Sequence, residues 1–183
     1  MSASVTIGIL ETRSIARGAE ATDAMLKAAE VELIRAGVIC PGKYLTIVSG
    51  EVAAVTASVE AGADRAGRAC AGTCVLARLD ERVARAIRGT RFTTEVNAAG
   101  IVECSTVETC VHAADTAVKA ADVELVRLRL GDGIGGKGYL VLTGDVAAVS
   151  ASVEAASAVA ADASRLIDAV VIPRPDEALF QSL

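Results

Sequence analysis

The chain has 183 residues, 52% of them hydrophobic but only 2% aromatic, with a net charge of −5. So few rings and a net negative charge exclude a general nucleic-acid binder, which needs stacking platforms and a basic face. No uncharged apolar run reaches the roughly 18 residues of a membrane span, and no basic stretch followed by an apolar one marks a signal peptide. The five Cys therefore read as reduced cytoplasmic thiols, not as a disulfide framework.

In chain order, Val5–Glu11 is a short apolar run and reads as a strand. Ser14 is placed to cap a helix to Ala29, with Ile15, Ala19, Met25 and Ala28 as its inward positions. Val31–Val38 and Tyr44–Val48 read as strands around the turn Val38-Ile39-Cys40-Pro41-Gly42-Lys43. Glu51 opens a second helix with Val52, Val55 and Val59 on one face. Cys74–Leu76 follows as a fourth strand, and Asp80 caps a short helix ending near Gly89.

The same order then recurs: strand Gly100–Cys104, helix Val107–Ala121, strands Val123–Leu130 and Tyr139–Thr143, helix Asp145–Ala161, strand Ile167–Ile172 and a short helix from Asp176. The recurrence is written in the residues. Asp23, Lys27, Ala28, Ala29, Val31, Glu32 and Leu33 return as Asp115, Lys119, Ala120, Ala121, Val123, Glu124 and Leu125, and GEVAAVTASVEAG (50–62) returns as GDVAAVSASVEAA (144–156). The repeat is too long for a solenoid unit, so each copy is a domain in its own right. Its β-α-β-β-α-β order is a split βαβ, ferredoxin-like arrangement of the α+β class: a four-stranded, mainly antiparallel sheet with helices on one face. The first domain spans 1–89 and the second 99–183, joined by a linker at 90–98. A core of this size is modest, and such domains gain from a neighbouring copy.

The two copies differ most in one place. The first turn carries Cys40 between Ile39 and Pro41-Gly42. Its counterpart, Gly131-Asp132-Gly133-Ile134-Gly135-Gly136-Lys137, is two residues longer and mostly bare backbone. A phosphate cradle would need a helix directly after these glycines, and Lys137 leads into a strand instead. Backbone lining a constriction, with exposed N–H groups and Asp132 setting its polarity, fits the loop better. Cys70 and Cys74 lack a second ligand pair at zinc-site spacing. Cys104 and Cys110 read as small core residues, and His112, the only His, as a structural or solvated helix residue. Lys27 and Lys119 stand at equivalent helix ends, where a cation suits the dipole. With no nucleophile–base pair and no paired acidic motif, no enzymatic activity is expected.

Taken together, Gly8-Ile9-Leu10-Glu11 and Gly100-Ile101-Val102-Glu103, the segments 23–29 and 115–121, the Gly-Glu/Asp-Val that ends each third strand, and Val171-Ile172-Pro173-Arg174-Pro175 resemble the shell proteins of bacterial microcompartments, over the whole chain and twice. Two domains in one chain resemble the tandem-domain subclass, whose trimers form pseudohexameric tiles. Ile39-Cys40-Pro41-Gly42-Lys43 is similar to the loop that, in members of the propanediol-utilisation type, holds an iron–sulfur cluster at the trimer axis.

The resemblance implies a homotrimer that tiles with other shell proteins in the cytoplasm. One Cys40 from each chain would face a central pore lined by Ile39, Pro41, Gly42, Asp132, Gly133, Ile134, Gly135 and Gly136. Three thiolates could hold a [4Fe-4S] or [3Fe-4S] cluster, passing electrons across the shell to encapsulated redox enzymes. Lys27, Lys119, Arg78 and Arg174 would lie at tile edges. Ala77-Arg78-Leu79 and Asp176 depart from the family pattern there, so edge contacts of a different detail are expected. The alternatives are a cluster-free pore for metabolites and, in another class, a ferredoxin-like regulatory module binding an effector at the glycine-rich loops.

Overall fold

A computed structural model describes residues 5–89 and 97–182; residues 90–96, most of the expected linker, lie outside the described residues. By its contacts the chain divides into two compact units. One is Met1–Leu79 together with Gly131–Gly136, and the other is Asp80–Leu130 with Lys137–Leu183.

The first unit contains β1 (Val5–Thr12), α1 (Ile15–Ala28), β2 (Glu32–Ile39), β3 (Lys43–Gly50), α2 (Val52–Ala66) and β4 (Cys70–Leu79). Its sheet runs β2-β3-β1-β4, with every pair antiparallel. Ser14 caps α1 by accepting the Arg17 N–H at 3.4 Å. The inward stripe of α1 is Gly18, Ala21, Thr22 and Met25, a clean i, i+3, i+4, i+7 face. Of the four positions expected there only Met25 is buried; Ile15, Ala19 and Ala28 are exposed. On α2 the buried face is Val55, Ser58, Val59, Gly62 and Ala66, while Val52 is exposed. The cause in both helices is close approach. Gly8 of β1 makes room for Val55 and Val59, and Gly62 faces the Met25 side chain, so small residues rather than bulky ones mark the contact. The fourth strand is ten residues long, not the short core Cys74–Leu76, because Gly72 stays in the ladder opposite Glu11.

The second unit begins with α3 (Glu81–Ile87), followed by β5 (Ala98–Cys104), α4 (Val107–Ala120), β6 (Glu124–Leu130), β7 (Gly138–Gly144), α5 (Val146–Asp162), β8 (Leu166–Pro173) and α6 (Glu177–Ser182). The sheet order is β6-β7-β5-β8, again antiparallel throughout. The helix capped by Asp80, expected to close the first copy, packs here on α4 and β6. Asp80 accepts the Arg82 N–H and takes its guanidinium at 2.9 Å. The same guanidinium donates to the carbonyls of Val118 and Val123 at 2.6 and 2.7 Å, covering the C-terminal end of α4 where a cation suits the dipole.

Candidate functional site

The site is built in the first unit from the β2–β3 hairpin and the segment 131–136. The hairpin ladder ends on the pair Ile39–Lys43, which leaves Cys40, Pro41 and Gly42 as the exposed tip. The tip is closed by the Gly42 N–H donating to the Ile39 carbonyl at 3.1 Å. The Cys40–Pro41 peptide is cis and Gly42 has φ +101°, a backbone that a glycine adopts without steric cost.

Gly136 lies directly against this tip. A Cβ built there would stand 2.1 Å from the Cys40 carbonyl oxygen, and its φ is +73°, so the position admits only glycine. Gly131 approaches the buried Ile39 side chain in the same way. Two ion pairs fasten the arrangement. Arg35 Nη2 donates to Asp132 Oδ2 at 2.6 Å. Lys43 Nζ donates to Glu11 Oε1 at 2.7 Å and to the Gly136 carbonyl at 3.3 Å, and Glu11 is fully buried.

The structure therefore brings the expected pore residues together. Cys40, Pro41, Gly42, Asp132, Gly133 and Gly135 are exposed, Ile134 is half-buried, and Gly136 and Ile39 lie beneath them. Ile39 supports the loop through Gly131 instead of presenting its side chain to solvent. Sequence reasoning gave no role to Glu11, Arg35 or the Lys43 side chain. The signal for one pair was present, because Glu11 and Lys43 both recur in the second copy, as Glu103 and Lys137, where Lys137 Nζ meets Glu103 Oε1 at 2.9 Å. Arg35 and Asp132 are 97 residues apart in sequence, a separation that carries no local pattern.

Among the described residues no three His, Cys, Asp or Glu side chains gather as a metal site within one chain. Cys40 is exposed at the tip of the β2–β3 hairpin. Cys70 and Cys74 lie on β4 and are half-buried. Cys104 and Cys110 are fully buried. A hydrogen bond from Cys110 holds Cys104 below the usual thiol range, and the same contact with burial drives Cys110 well above it. Cys110 is thus an inert core thiol. His112 is exposed on α4.

The expected edge residues are on the surface. Lys27 pairs with Asp23 at 2.6 Å and Lys119 with Asp115 at 2.5 Å. Lys27 and Asp23 border an open groove of about 410 Å³ with Glu20 and Arg65. Arg78 and Arg174, at the ends of β4 and β8, are exposed and share left-handed backbone, φ +54° and +47°. Such a conformation costs a non-glycine residue about 1–2 kcal/mol, and the two copies share it at equivalent positions.

The two units repeat one pattern, a four-stranded antiparallel sheet with helices. The model of the BMC domain matches residues 6–79 and 98–175, and the chain belongs to the bacterial microcompartment (BMC) family as a two-domain shell protein, not an enzyme. It is 44% identical over 180 residues to the bacterial microcompartment shell protein PduT of Citrobacter freundii, covering 98% of each chain. A microcompartment protein from Desulfitobacterium hafniense, solved by crystallography, superposes with a TM-score of 0.86 at 45% identity over 98% of this chain and 99% of that one. A fused permuted hexameric shell protein of the RMM microcompartment superposes less closely, with a TM-score of 0.63 at 26% identity over 88% and 84%.

Proposed function

We propose that three copies of this chain close into a pseudohexameric tile of a cytoplasmic microcompartment shell, with Cys40 of each chain at a central pore. The observation that carries this reading is the Cys40 tip, exposed and braced from behind by Gly136, Lys43 and the buried Glu11. A thiol displayed in this way is available to its symmetry copies and poorly placed for partners in its own chain. Three such thiolates suit an iron–sulfur cluster, which accepts soft sulfur ligands and tolerates one iron without a Cys. When bound, the cluster would supply reversible one-electron transfer between the two sides of the shell, toward enzymes enclosed within it.

The chain's own residues present the thiol, fix the tip, and line the opening with the backbone of 133–136 and the Asp132 carboxylate. Arg78, Arg174, Lys27 and Lys119 are the edge groups through which such a tile would meet other shell proteins. Each contact would be weak, and repetition across the sheet supplies avidity.

Anaerobic purification of wild type and Cys40→Ser, with iron, acid-labile sulfide and visible absorbance measured on both, tests the cluster. Iron and a charge-transfer band are expected in the wild type and absent in the variant. Iron-free wild type, or iron unchanged by the substitution, removes the cluster and leaves a metabolite pore.

A further inference from the structure

In the first unit Thr12 ends β1, Gly18 lies in the first turn of α1, and Tyr44 is the ladder partner of Thr12. A Cβ built on Gly18 would stand 2.7 Å from Thr12 Oγ1 and 2.4 Å from Tyr44 Cβ, so the three positions meet at one point. The second unit puts Cys104, Cys110 and Gly138 at the equivalent places, with Cys104 and Gly138 paired in the ladder. A Cβ built on Gly138 would stand 2.9 Å from Cys110 Sγ. All three residues differ together between the copies. Gly138 removes the ring that fills this space in the first unit, and two thiols occupy it instead. Both Cys are fully buried, and the Cys110 thiol donates a hydrogen bond to Cys104 Sγ.

The fold brings these positions to bonding range. Thr12 Oγ1 is one bond from its own Cβ, so the two Cβ positions in the first unit come within about 4 Å, inside the roughly 3.5–4.5 Å that a disulfide spans. In the second unit the pair is asymmetric. The hydrogen bond from Cys110 holds the Cys104 thiol below the usual range, while the same contact and burial hold Cys110 well above it. One sulfur therefore has thiolate character and the other rests in contact with it. Because both are sealed from solvent, only a small, uncharged reagent suits the site. A bulky disulfide does not fit, whereas a hydroperoxide little larger than water does.

We propose that Cys104 and Cys110 form a modification site, a dithiol that a small hydroperoxide converts to a disulfide within one chain. Cys104 Sγ, as thiolate, attacks one peroxide oxygen. The O–O bond breaks, the S–O bond of a sulfenic acid forms, and the departing oxygen takes the proton that the thiol gave up, leaving as water or an alcohol. Cys110 Sγ then attacks the Cys104 sulfur. The S–S bond forms, the S–O bond breaks, and the hydroxide leaves with the Cys110 proton as water. The two thiols lose two electrons together, and the peroxide gains them. Cys110 is inert toward reagents in solution, but its target sulfur already lies beside it. The disulfide ties the end of β5 to the first turns of α4. The site depends neither on the three-chain tile nor on a cluster at Cys40.

Peroxide treatment of the native full chain tests the site. Hydrogen peroxide is added and then removed with catalase, and only afterwards is the protein unfolded, alkylated and cut with trypsin. Cys104 and Cys110 fall together on the tryptic peptide 92–119, and the other three Cys lie outside it. The disulfide leaves this peptide two hydrogens lighter and without alkyl groups, and dithiothreitol before alkylation restores both groups. We expect at least half of the doubly alkylated peptide to be lost at the peroxide concentration that oxidises the exposed Cys40. Cys110→Ser, treated in the same way and unfolded in dimedone, should carry the sulfenic-acid adduct on Cys104, and Cys104→Ser should leave Cys110 unmodified. A wild-type peptide that keeps both alkyl groups while Cys40 is fully oxidised overturns the site, whatever the variants do. A peptide bearing sulfinic acid in place of the disulfide also overturns it. An adduct on Cys110 of Cys104→Ser, with none on Cys104 of Cys110→Ser, overturns Cys104 as the attacking thiol.

Discussion

Both copies carry a lysine–glutamate pair at the base of the loop, Lys43 with Glu11 and Lys137 with Glu103, at 2.7 and 2.9 Å. Their surroundings are not equivalent. Glu11 is fully buried and Lys43 is 21% exposed, whereas Glu103 and Lys137 are 34% and 46% exposed. Segment 131–136 lies on the first pair and lets Lys43 also hold the Gly136 carbonyl. The difference shows that duplicated residues do not carry duplicated energetics. What covers a pair decides whether it is a surface decoration or a structural requirement.

Removing the two lysines should separate these cases, and it is the largest effect we expect. Lys43→Met takes the cation from a carboxylate with no access to water, at a cost of about 3–5 kcal/mol. Lys137→Met breaks an exposed pair, worth about 0–1 kcal/mol. Urea unfolding at one fixed chain concentration should show a large fall in midpoint for the first and almost none for the second. Equal shifts would mean that the burial of Glu11 has no energetic consequence. Lys43→Met should also loosen the Cys40 tip, which gives the loop a role in presenting the thiol.

The Asp80–Arg82 pair has no equivalent in the second copy, where Ala178 replaces the Arg. Arg82→Ala removes two carboxylate contacts and two carbonyl bonds at the end of α4, and should cost about 2–3 kcal/mol at neutral pH. The pH dependence has a definite sign. The guanidinium of Arg82 holds the Asp80 carboxyl below its ordinary value. The ion pair therefore adds stability in full above the unfolded carboxyl value of about 3.9, and loses it as pH falls through the lower folded value. The gap between wild type and Arg82→Ala should be constant from neutral pH down to about pH 5 and narrow as pH falls below about 4, as the charged part of the interaction is lost. A gap that is constant with pH would mean that the carbonyl bonds alone fasten the helix.

The element order was legible because the repeat supplies every strand and helix twice, and a pattern seen twice at one spacing is hard to misread. The helix faces were less so. Alanine satisfies an apolar pattern without stating which side is inward, and the true stripe of α1 rests on Gly18 and Thr22, which an apolar template scores poorly. The Cys40 loop stood out as the place where the copies diverge in chemistry. Of the pairs that brace it, Lys43 with Glu11 recurs in the second copy, whereas the contact of Arg35 with Asp132 spans 97 residues and leaves no local pattern. The seat of α3 was equally invisible. Sequence proximity assigns that helix to the strand before it, and only the buried Val118 and Leu125 reveal the surface it covers.

The smallest effect concerns how the copies fill one space with different residues. In the first unit Gly18 of α1 faces Tyr44 of β3, and a Cβ on Gly18 would lie 2.4 Å from the Tyr44 Cβ. In the second the sizes are exchanged: Gly138 of β7 faces Cys110 of α4, again with 2.4 Å between a built Cβ and the opposing one. The strand is large and the helix small in one copy, and the reverse holds in the other. Gly138→Ala should therefore cost about 1–3 kcal/mol by overpacking. Cys110→Gly alone costs about 1 kcal/mol of helix propensity, plus the contacts of the lost thiol. The double variant should be less destabilised than the sum of the singles by about 1 kcal/mol, since the clash it relieves is Cβ against Cβ. Cys110→Ala retains the Cβ and should give no such relief. Additive costs with Cys110→Gly, measured by urea unfolding, would show that β7 moves away from the helix and that the exchange of sizes is not what keeps the two copies equally packed.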